Sequence, residues 1–585
     1  MRPSALCLVQ TIYGDAQILA NREHTSVAVR PISCLLSFAD RIVIIVKVRE
    51  QIPYSMGLNV ASSLRDSAAK FAERQAVVCE DRSFTFAELE RWAAKIAEVF
   101  YSRGMKQGDH VLLLAPNVPE FTAVYYAVLR LGGVIVPVNP LFIPQEISGL
   151  LEHSDSKFIV VWHALAEKGV AAFEHADHCQ TLFFIGTDRQ NLSPAFFPTA
   201  PENVFVKPRY LVDELIGEMP GTLDYCQTSP DDTAVILYTS GTTGKSKGVE
   251  LSHFNLFSNA QYVIAPHLWS LAPESVTIAV LPFFHSFGQT AVQNTSIIAG
   301  SKLVLVPQFE PRRVLHEMEK YRVTHIAAVP TMFNLISHTQ RRYHYDVSAL
   351  QVVVSGGAPL PATIYRDFEK QFGVKISEGY GLSETSPIAC LTPSRSELNK
   401  PGSIGPAIHG TQIRIAREDG TFADVEEVGE VVVRGHNVMK GYYKDPTTTA
   451  AVFLGNGWFR SGDVGKIDAE GYVYIVDRAK DVIIRGGMNI YPREIEDILL
   501  HHPGILEAAV VGIPDETLSE NVVAFVILVP GMEITVRELQ KYCRDHLAIY
   551  KCPKFIEFVD QLPKNATGKV LKRALHDRKR AVKEP

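Results

Sequence analysis

The stretch Tyr238-Thr-Ser-Gly-Thr-Thr-Gly-Lys-Ser-Lys-Gly248 follows the run Ala234 to Tyr238, whose apolar residues read as a buried strand. Gly241 and Gly244 let the backbone turn and present its N–H groups, while Thr239, Ser240, Thr242 and Thr243 add hydroxyls and Lys245 and Lys247 add charge. Such a strand-to-loop transition suits polyphosphate oxygens. Gly244-Lys245-Ser246 matches the end of a Walker A loop, but that loop needs a glycine five residues before Gly244, where this chain has Thr239. The spacing excludes it. The competing structural reading is a Ser/Gly-rich surface turn.

Outward from this loop, helices alternate with short Val/Ile-rich runs. A helix is expected over Phe86 to Ser102, a strand over His110 to Leu114, a helix over Pro119 to Leu131 and a strand over Val134 to Val138. The rhythm returns at Phe158, Leu182, Thr277, Leu303, His325 and Val352, which predicts parallel sheets covered on both faces. Beyond Gly405 the texture changes to short strands and turns at Gln412 to Ile415, Glu430 to Arg434 and Tyr472 to Val476. After Asp477 an α+β unit begins, with Pro492 opening a helix. The expected fold is therefore α/β: two α/β lobes plus a small β-rich subdomain, followed by a small mobile α+β C-terminal domain. Residues 56–478 form the first domain and 479–585 the second. Residues 1–55 lack sustained periodicity and are set apart as a poorly ordered extension or a misassigned start. Met56 is expected to open an amphipathic helix with Val60, Leu64, Ala68, Phe71 and Ala72 on one face.

With 585 residues, 46% hydrophobic and 21% charged, the chain can bury large cores and has neither a disordered nor a fibrous composition. A formal charge of -6 asks for no nucleic-acid partner, and the basic run after Lys569 reads as a solvated face. The eight cysteines form no C-x-x-C pair and no zinc-spaced cluster, as in a reduced, cytoplasmic protein. No run approaches the ~20 apolar residues of a membrane span.

Further blocks follow in order: Leu281-Pro-Phe-Phe-His-Ser-Phe-Gly288, Ser355-Gly-Gly-Ala-Pro359, Glu378-Gly-Tyr-Gly-Leu-Ser-Glu-Thr385, Gly457-Trp-Phe-Arg-Ser-Gly-Asp-Val464, Asp477-Arg-Ala-Lys-Asp481, Arg485-Gly-Gly-Met-Asn-Ile-Tyr-Pro492 and Leu562-Pro-Lys-Asn-Ala-Thr-Gly-Lys569. Taken singly, several are bland: a histidine among aromatics is usually packed, and Gly-Tyr-Gly or an Asp after Gly462 is often a turn. Together with the loop, and in this order over about residues 56 to 575, they resemble the adenylate-forming superfamily, in its acyl-CoA synthetase or long-chain fatty-acid–CoA ligase branch. Ser246, where that family commonly has proline, and Ser519, before Glu520 where it often has glycine, depart from the pattern.

The resemblance implies ATP, Mg²⁺ and coenzyme A as ligands, and carries roles over residue by residue. Lys569, His285, Thr239 and Glu384 would be catalytic, Lys569 serving adenylation and His285 lying against the acyl-adenylate. Glu384 would hold Mg²⁺, as a hard oxygen ligand suits. The loop residues Ser240 to Lys245 with Lys247 would grip phosphate; Gly357, Ala358, Tyr380 and Gly381 would surround adenine, and Thr385 would donate to the α-phosphate. Asp463 would accept the ribose hydroxyls, and Arg478 would contact ribose or phosphate. Lys480 would be the hinge, and Gly486 and Gly487 would admit the pantetheine arm. The implied reaction joins a carboxylic acid to AMP and then to coenzyme A. Gly288 is read as leaving space in an acyl tunnel, which with His285, Phe287 and Val353 to Gly356 favours a medium- or long-chain fatty acid, an aromatic hydroxycinnamate being second. A carrier protein remains open as acceptor, as does peripheral membrane contact. A luciferase-like oxygenase and a non-catalytic nucleotide binder are the rival functions.

Overall fold

The computed structural model describes residues 57–187, 189–197, 207–240, 246–394, 398–515, 517–564 and 569–576, with Ser240 as backbone alone; the extension 1–55 lies outside them. Among the described residues, two eight-stranded sheets form the bulk of the body. The first runs Ile388–Leu391, Ile376–Gly381, Val352–Ser355, His325–Ala328, Val276–Ala279, Lys302–Leu305, Gln75–Cys79, Arg82–Thr85. Its inner pairs are parallel and its two edge pairs antiparallel. The second runs Gly441–Tyr442, Ser246–Ser252, Thr233–Ser240, Val134–Pro137, His110–Leu114, Ser156–Trp162, Thr181–Ile185, Arg209–Leu211, parallel from Thr233–Ser240 onward.

The inner parallel strands, such as His110–Leu114, Val134–Pro137 and Val352–Ser355, form where the chain offers β-branched and leucine runs, and their burial fits sheets covered on both faces, while the edge strand Arg82–Thr85 stays exposed or half-buried. Phe86–Ser102 is helical, opened by a capping box in which Thr85 accepts from the Glu88 N–H while Glu88 accepts from Thr85. Every residue of the helix Pro119–Arg130 is buried, so it lacks a polar face. Its two charges are paired: Glu120 with Arg82, and Arg130 with Glu90 at 2.6 Å. The N-terminal helix departs from expectation. It begins at Ser62, because the Asn59 side chain accepts from the Ala61 N–H and Leu58 N–H donates to Thr228, holding 57–59 out of helical geometry.

Two smaller sheets follow. In the antiparallel sheet Thr411–Ala416, Gly429–Gly435, Trp458–Ile467, Phe453–Leu454, the strand Val473–Arg478 pairs with Trp458–Ile467. The turn Ala479–Asp481 then leads into the last sheet, built on the long hairpin Ile505–Asp515 and Ser519–Leu528. The helix Pro492–Leu500 covers one face of that hairpin through Ile495 and Leu499. Leu562 and Leu575 pack on the other face with Val523 and Phe525. No helix among the described residues is long and apolar enough to cross a membrane.

Candidate active site

One cavity of about 500 Å³ is lined by Thr239, Lys247, His285, Phe287, Gly356, Gly357, Tyr380, Gly381, Glu384, Arg478, Lys480 and Lys569, among others. It gathers residues from seven of the eight sequence blocks, Phe459 to Gly462 included; Arg485 to Pro492 contributes none. Thr239 lies near the end of the strand Thr233–Ser240, opposite Lys247 in the antiparallel register. Gly241, Thr242, Thr243, Gly244 and Lys245 lie outside the described residues.

The strand Trp458–Ile467 lines the cavity with Phe459 to Gly462 and sets Asp463, outside the lining, against the lining residues Tyr380 and Arg478. Opposite Glu430 to Val432 its register shifts, Gly462 takes φ 72°, and its N–H donates to the Glu430 carboxylate. Such a bulge re-aims the following side chain. Asp463 is 3% exposed; one oxygen accepts from the Tyr380 hydroxyl at 2.6 Å and the other pairs with Arg478 Nε at 3.0 Å. Tyr380, expected to offer its ring face, therefore also fixes the aspartate through its hydroxyl. Each carboxylate oxygen retains a further lone pair for a ribose hydroxyl. Gly381 is demanded by packing, since a Cβ there would overlap the Pro387 carbonyl oxygen.

Glu384 accepts from the Tyr442 hydroxyl at 2.9 Å, and burial raises its pKa above the ordinary value. The Lys247 ammonium lies 5.0 Å from the centre of the Tyr442 ring. A desolvated carboxylate beside a lysine is a fitting place for a hard cation accompanied by phosphate. No group of three or more His, Cys, Asp or Glu arranged to hold a metal occurs among the described residues. Glu384 is the residue that could hold Mg²⁺, together with nucleotide oxygens.

The Lys569 segment is held by Leu562 and Leu575 at its flanks, by Leu571 N–H donating to Pro563, and by a Lys564–Glu507 ion pair at 2.7 Å. Burial, aided by Arg478 and opposed by Asp463 and Asp481, lowers the Lys569 pKa to about 8. Burial and the nearby Lys569 charge lower His285 to about 4, so its imidazole is neutral near pH 7. Its Nδ1 accepts from the Phe287 N–H at 3.2 Å, which fixes the tautomer with the proton on Nε2.

Several expected residues stand elsewhere. The Thr385 hydroxyl is fully buried, accepts from Leu382 N–H and donates to the Pro387 carbonyl at 2.5 Å, so it shapes the turn and leaves Ser383 and Glu384 to line the cavity. Ala358 is half-buried beside the lining residue Gly357. Gly288 opens no tunnel: a Cβ there would overlap the carbonyl oxygens of Leu281 and Pro282. Its missing side chain lets a helical turn press on the preceding loop. Of Val353 to Gly356, Gly356 reaches the lining, while Val353 packs in a core. Gly486 and Gly487, with φ 58° and 79°, make the exposed two-residue turn between Ile483–Arg485 and Met488–Ile490, away from the cavity lining. Both positive values suit a type I′ turn.

No sequence block contains Tyr442. Gly441-Tyr442 follows Lys440 in a short strand that pairs with Val249 and Glu250, and nothing local announces a partner 58 residues away.

The chain matches the model of the AMP-binding enzyme over residues 64–443 and that of the AMP-binding enzyme C-terminal domain over 494–569. It is 36% identical over 543 residues to a long-chain-fatty-acid–CoA ligase of Bacillus subtilis, covering 90% of this chain and 96% of that protein. It is 35% identical over 494 residues to a feruloyl-CoA synthase of an Amycolatopsis species, covering 84% and 93%. The structure of ATP-bound MatB from Rhodopseudomonas palustris superposes with a TM-score of 0.80 at 30% identity, covering 90% of this chain and 99% of that one. Sequence blocks, fold and cavity agree with these matches: the chain belongs to the AMP-binding enzymes, in the acyl-CoA synthetase branch of the adenylate-forming superfamily.

Proposed function

We propose that the protein activates a medium- or long-chain fatty acid as its acyl-adenylate, releasing pyrophosphate, and passes the acyl group to coenzyme A with release of AMP. The observation that carries this reading is the convergence of Lys569, Arg478, Lys247 and Glu384 on one cavity, with Asp463 bound to two of its lining residues, Arg478 and Tyr380. Joining a carboxylate to ATP sets two anions against each other, so positioning and charge neutralisation dominate over proton transfer. Lys569 would meet the charge developing between carboxylate and α-phosphate, Lys247 and Thr239 the polyphosphate, and Asp463 the ribose. Mg²⁺ at Glu384 would neutralise phosphate charge. Neutral His285, its Nε2–H free to donate, would border the acyl group. The Gly486–Gly487 turn would admit pantetheine once it faced the cavity.

The fatty-acid assignment draws on the long-chain ligase relatives and on apolar lining by Leu281, Phe287, Val329 and Ile388. The feruloyl-CoA synthase relative keeps a hydroxycinnamate as the second reading, since Phe287 could flank an aromatic ring as well as a chain. Purified protein assayed for ATP-dependent pyrophosphate and acyl-CoA against saturated acids from acetate to palmitate, plus coumarate and ferulate, separates them. A peak between octanoate and palmitate with thioester formed is expected; a peak at ferulate selects the second reading. Pyrophosphate without thioester would instead assign a carrier protein as acceptor.

A further inference from the structure

We propose that Arg493 and Glu496 are positioning residues for adenylation, tying the strand that carries Arg478 to the segment that carries Lys569. The proposal rests on the acyl-adenylate reading above and adds residues that no block of the sequence singled out.

The connection can be followed around the cavity. Arg478 enters it from the strand Val473–Arg478. On that strand Asp477 is buried, and its carboxylate accepts from the Arg478 N–H at 2.7 Å through one oxygen and from the Arg493 N–H at 2.8 Å through the other. The Arg493 guanidinium donates to the Ile475 carbonyl of the same strand at 2.8 Å. One turn further along the helix Pro492–Leu500, Glu496 pairs with Lys572 at 2.8 Å and accepts from the Val510 N–H at 2.7 Å. Lys572 stands three residues beyond Lys569. The side chains of Glu496 and Lys572 are 17% and 18% exposed, so their pairing is little screened by water.

Charge supports the same arrangement. Burial works against the Lys572 ammonium, yet Glu496 and Asp477 outweigh it and raise its pKa. Arg493 also stands among carboxylates: Asp497 at 3.9 Å, and Glu378, on which its charge acts from across the boundary with the body. A guanidinium facing backbone and acidic groups of the body, on the helix whose next turn grips Lys572, is a strut between the two sides of the cavity. Misplacing a reacting group by about 1 Å can cost ~10²-fold in rate. The strut acts only while Lys569 faces the cavity, so thioester formation should not require it.

The test compares wild type, Arg493→Ala, Arg493→Lys, Lys569→Ala and the Arg493→Ala/Lys569→Ala double variant. Arg493→Ala should lower adenylation at least ~10-fold, leave thioester formation from preformed acyl-adenylate within about twofold, and add nothing on the Lys569→Ala background. Arg493→Lys, which can still reach the Ile475 carbonyl, should recover part of the rate. Equal loss in both half-reactions, full additivity, or no loss would overturn the proposal. Amide hydrogen exchange reads the coupling without chemistry: Arg493→Ala should speed exchange in both the 473–478 and 569–575 segments. Faster exchange confined to the helix itself would also overturn it. Failure of the wild type to form any acyl-adenylate would sink the enzymatic reading while the exchange result still judged the strut.

Discussion

Lys569 and the Gly486–Gly487 turn belong to the same C-terminal unit, yet the lysine lines the cavity while the glycines stand exposed and outside it. Their surroundings differ in kind. Lys569 sits among Arg478, Asp463, Asp481 and Lys480, with its pKa lowered by burial. The turn is fixed chiefly by its own hairpin and by the Gly486 N–H donating to Leu518. On the proposed roles, the arrangement described is the one for making an adenylate. Presenting the turn to the same cavity requires the unit to reorient, and the bonds of Arg493 are among those that must break.

The sharpest way to break this contrast is Lys569→Ala. It should cut adenylation on the order of 10² to 10³-fold and spare thioester formation from preformed acyl-adenylate; pyrophosphate release and thioester appearance, assayed separately, check it. Gly487→Val should act in reverse, lowering thioester formation by about 10²-fold with adenylation retained. Gly487→Asn, which tolerates the left-handed backbone, separates conformational strain from bulk.

Beneath the contact between the two units, burial pushes the Glu378 carboxyl up to about 7, with the Gly402 N–H and Arg493 pulling it back. Between its ordinary value and about 7 the folded protein holds the proton that the unfolded chain has released. Stability is therefore lost as pH rises through that window and is not regained above it. Glu378→Gln should raise stability at pH 8 by on the order of 3 kcal/mol, with little change at pH 4, measured by thermal unfolding at both. The smallest effect is kinetic. With Lys569 near 8 in the free enzyme, kcat/KM for adenylation should fall about tenfold per pH unit above that value. Lys569→Arg should remove that limb from the pH profile.

The sheets and the order of the site blocks were legible because their signals are local. The strand His110–Leu114 is apolar from Val111 on, Thr85 and Glu88 announce their helix, and Pro492 opens another. The strand Trp458–Ile467 was not legible: Arg460-Ser-Gly-Asp463 reads as a turn, and only pairing on both sides, with Gly429–Gly435 and Val473–Arg478, makes it a bulged central strand. The N-terminal helix boundary was displaced because Asn59 competes for the backbone. At the site, chemistry-bearing residues were readable, but partners that are distant in sequence were not. Tyr442 meets Glu384, and Thr385 turns its hydroxyl to Pro387, through folded geometry alone.

Gly288 has a consequence for attempts to redirect the enzyme toward other acids. Since its missing side chain is taken up by the carbonyls of Leu281 and Pro282, a saturation library at this position should sort by yield of folded protein and not by acid preference. Phe287 and Gly356 both line the cavity, and a methyl group added at 356 would meet the Phe287 ring at 3.0 Å and the Gly379 carbonyl oxygen at 3.1 Å. Changes of acid preference should therefore come from substitution at Phe287, with alanine at 356 tried only beside a smaller residue at 287, since the Gly379 carbonyl stays in the way of anything larger.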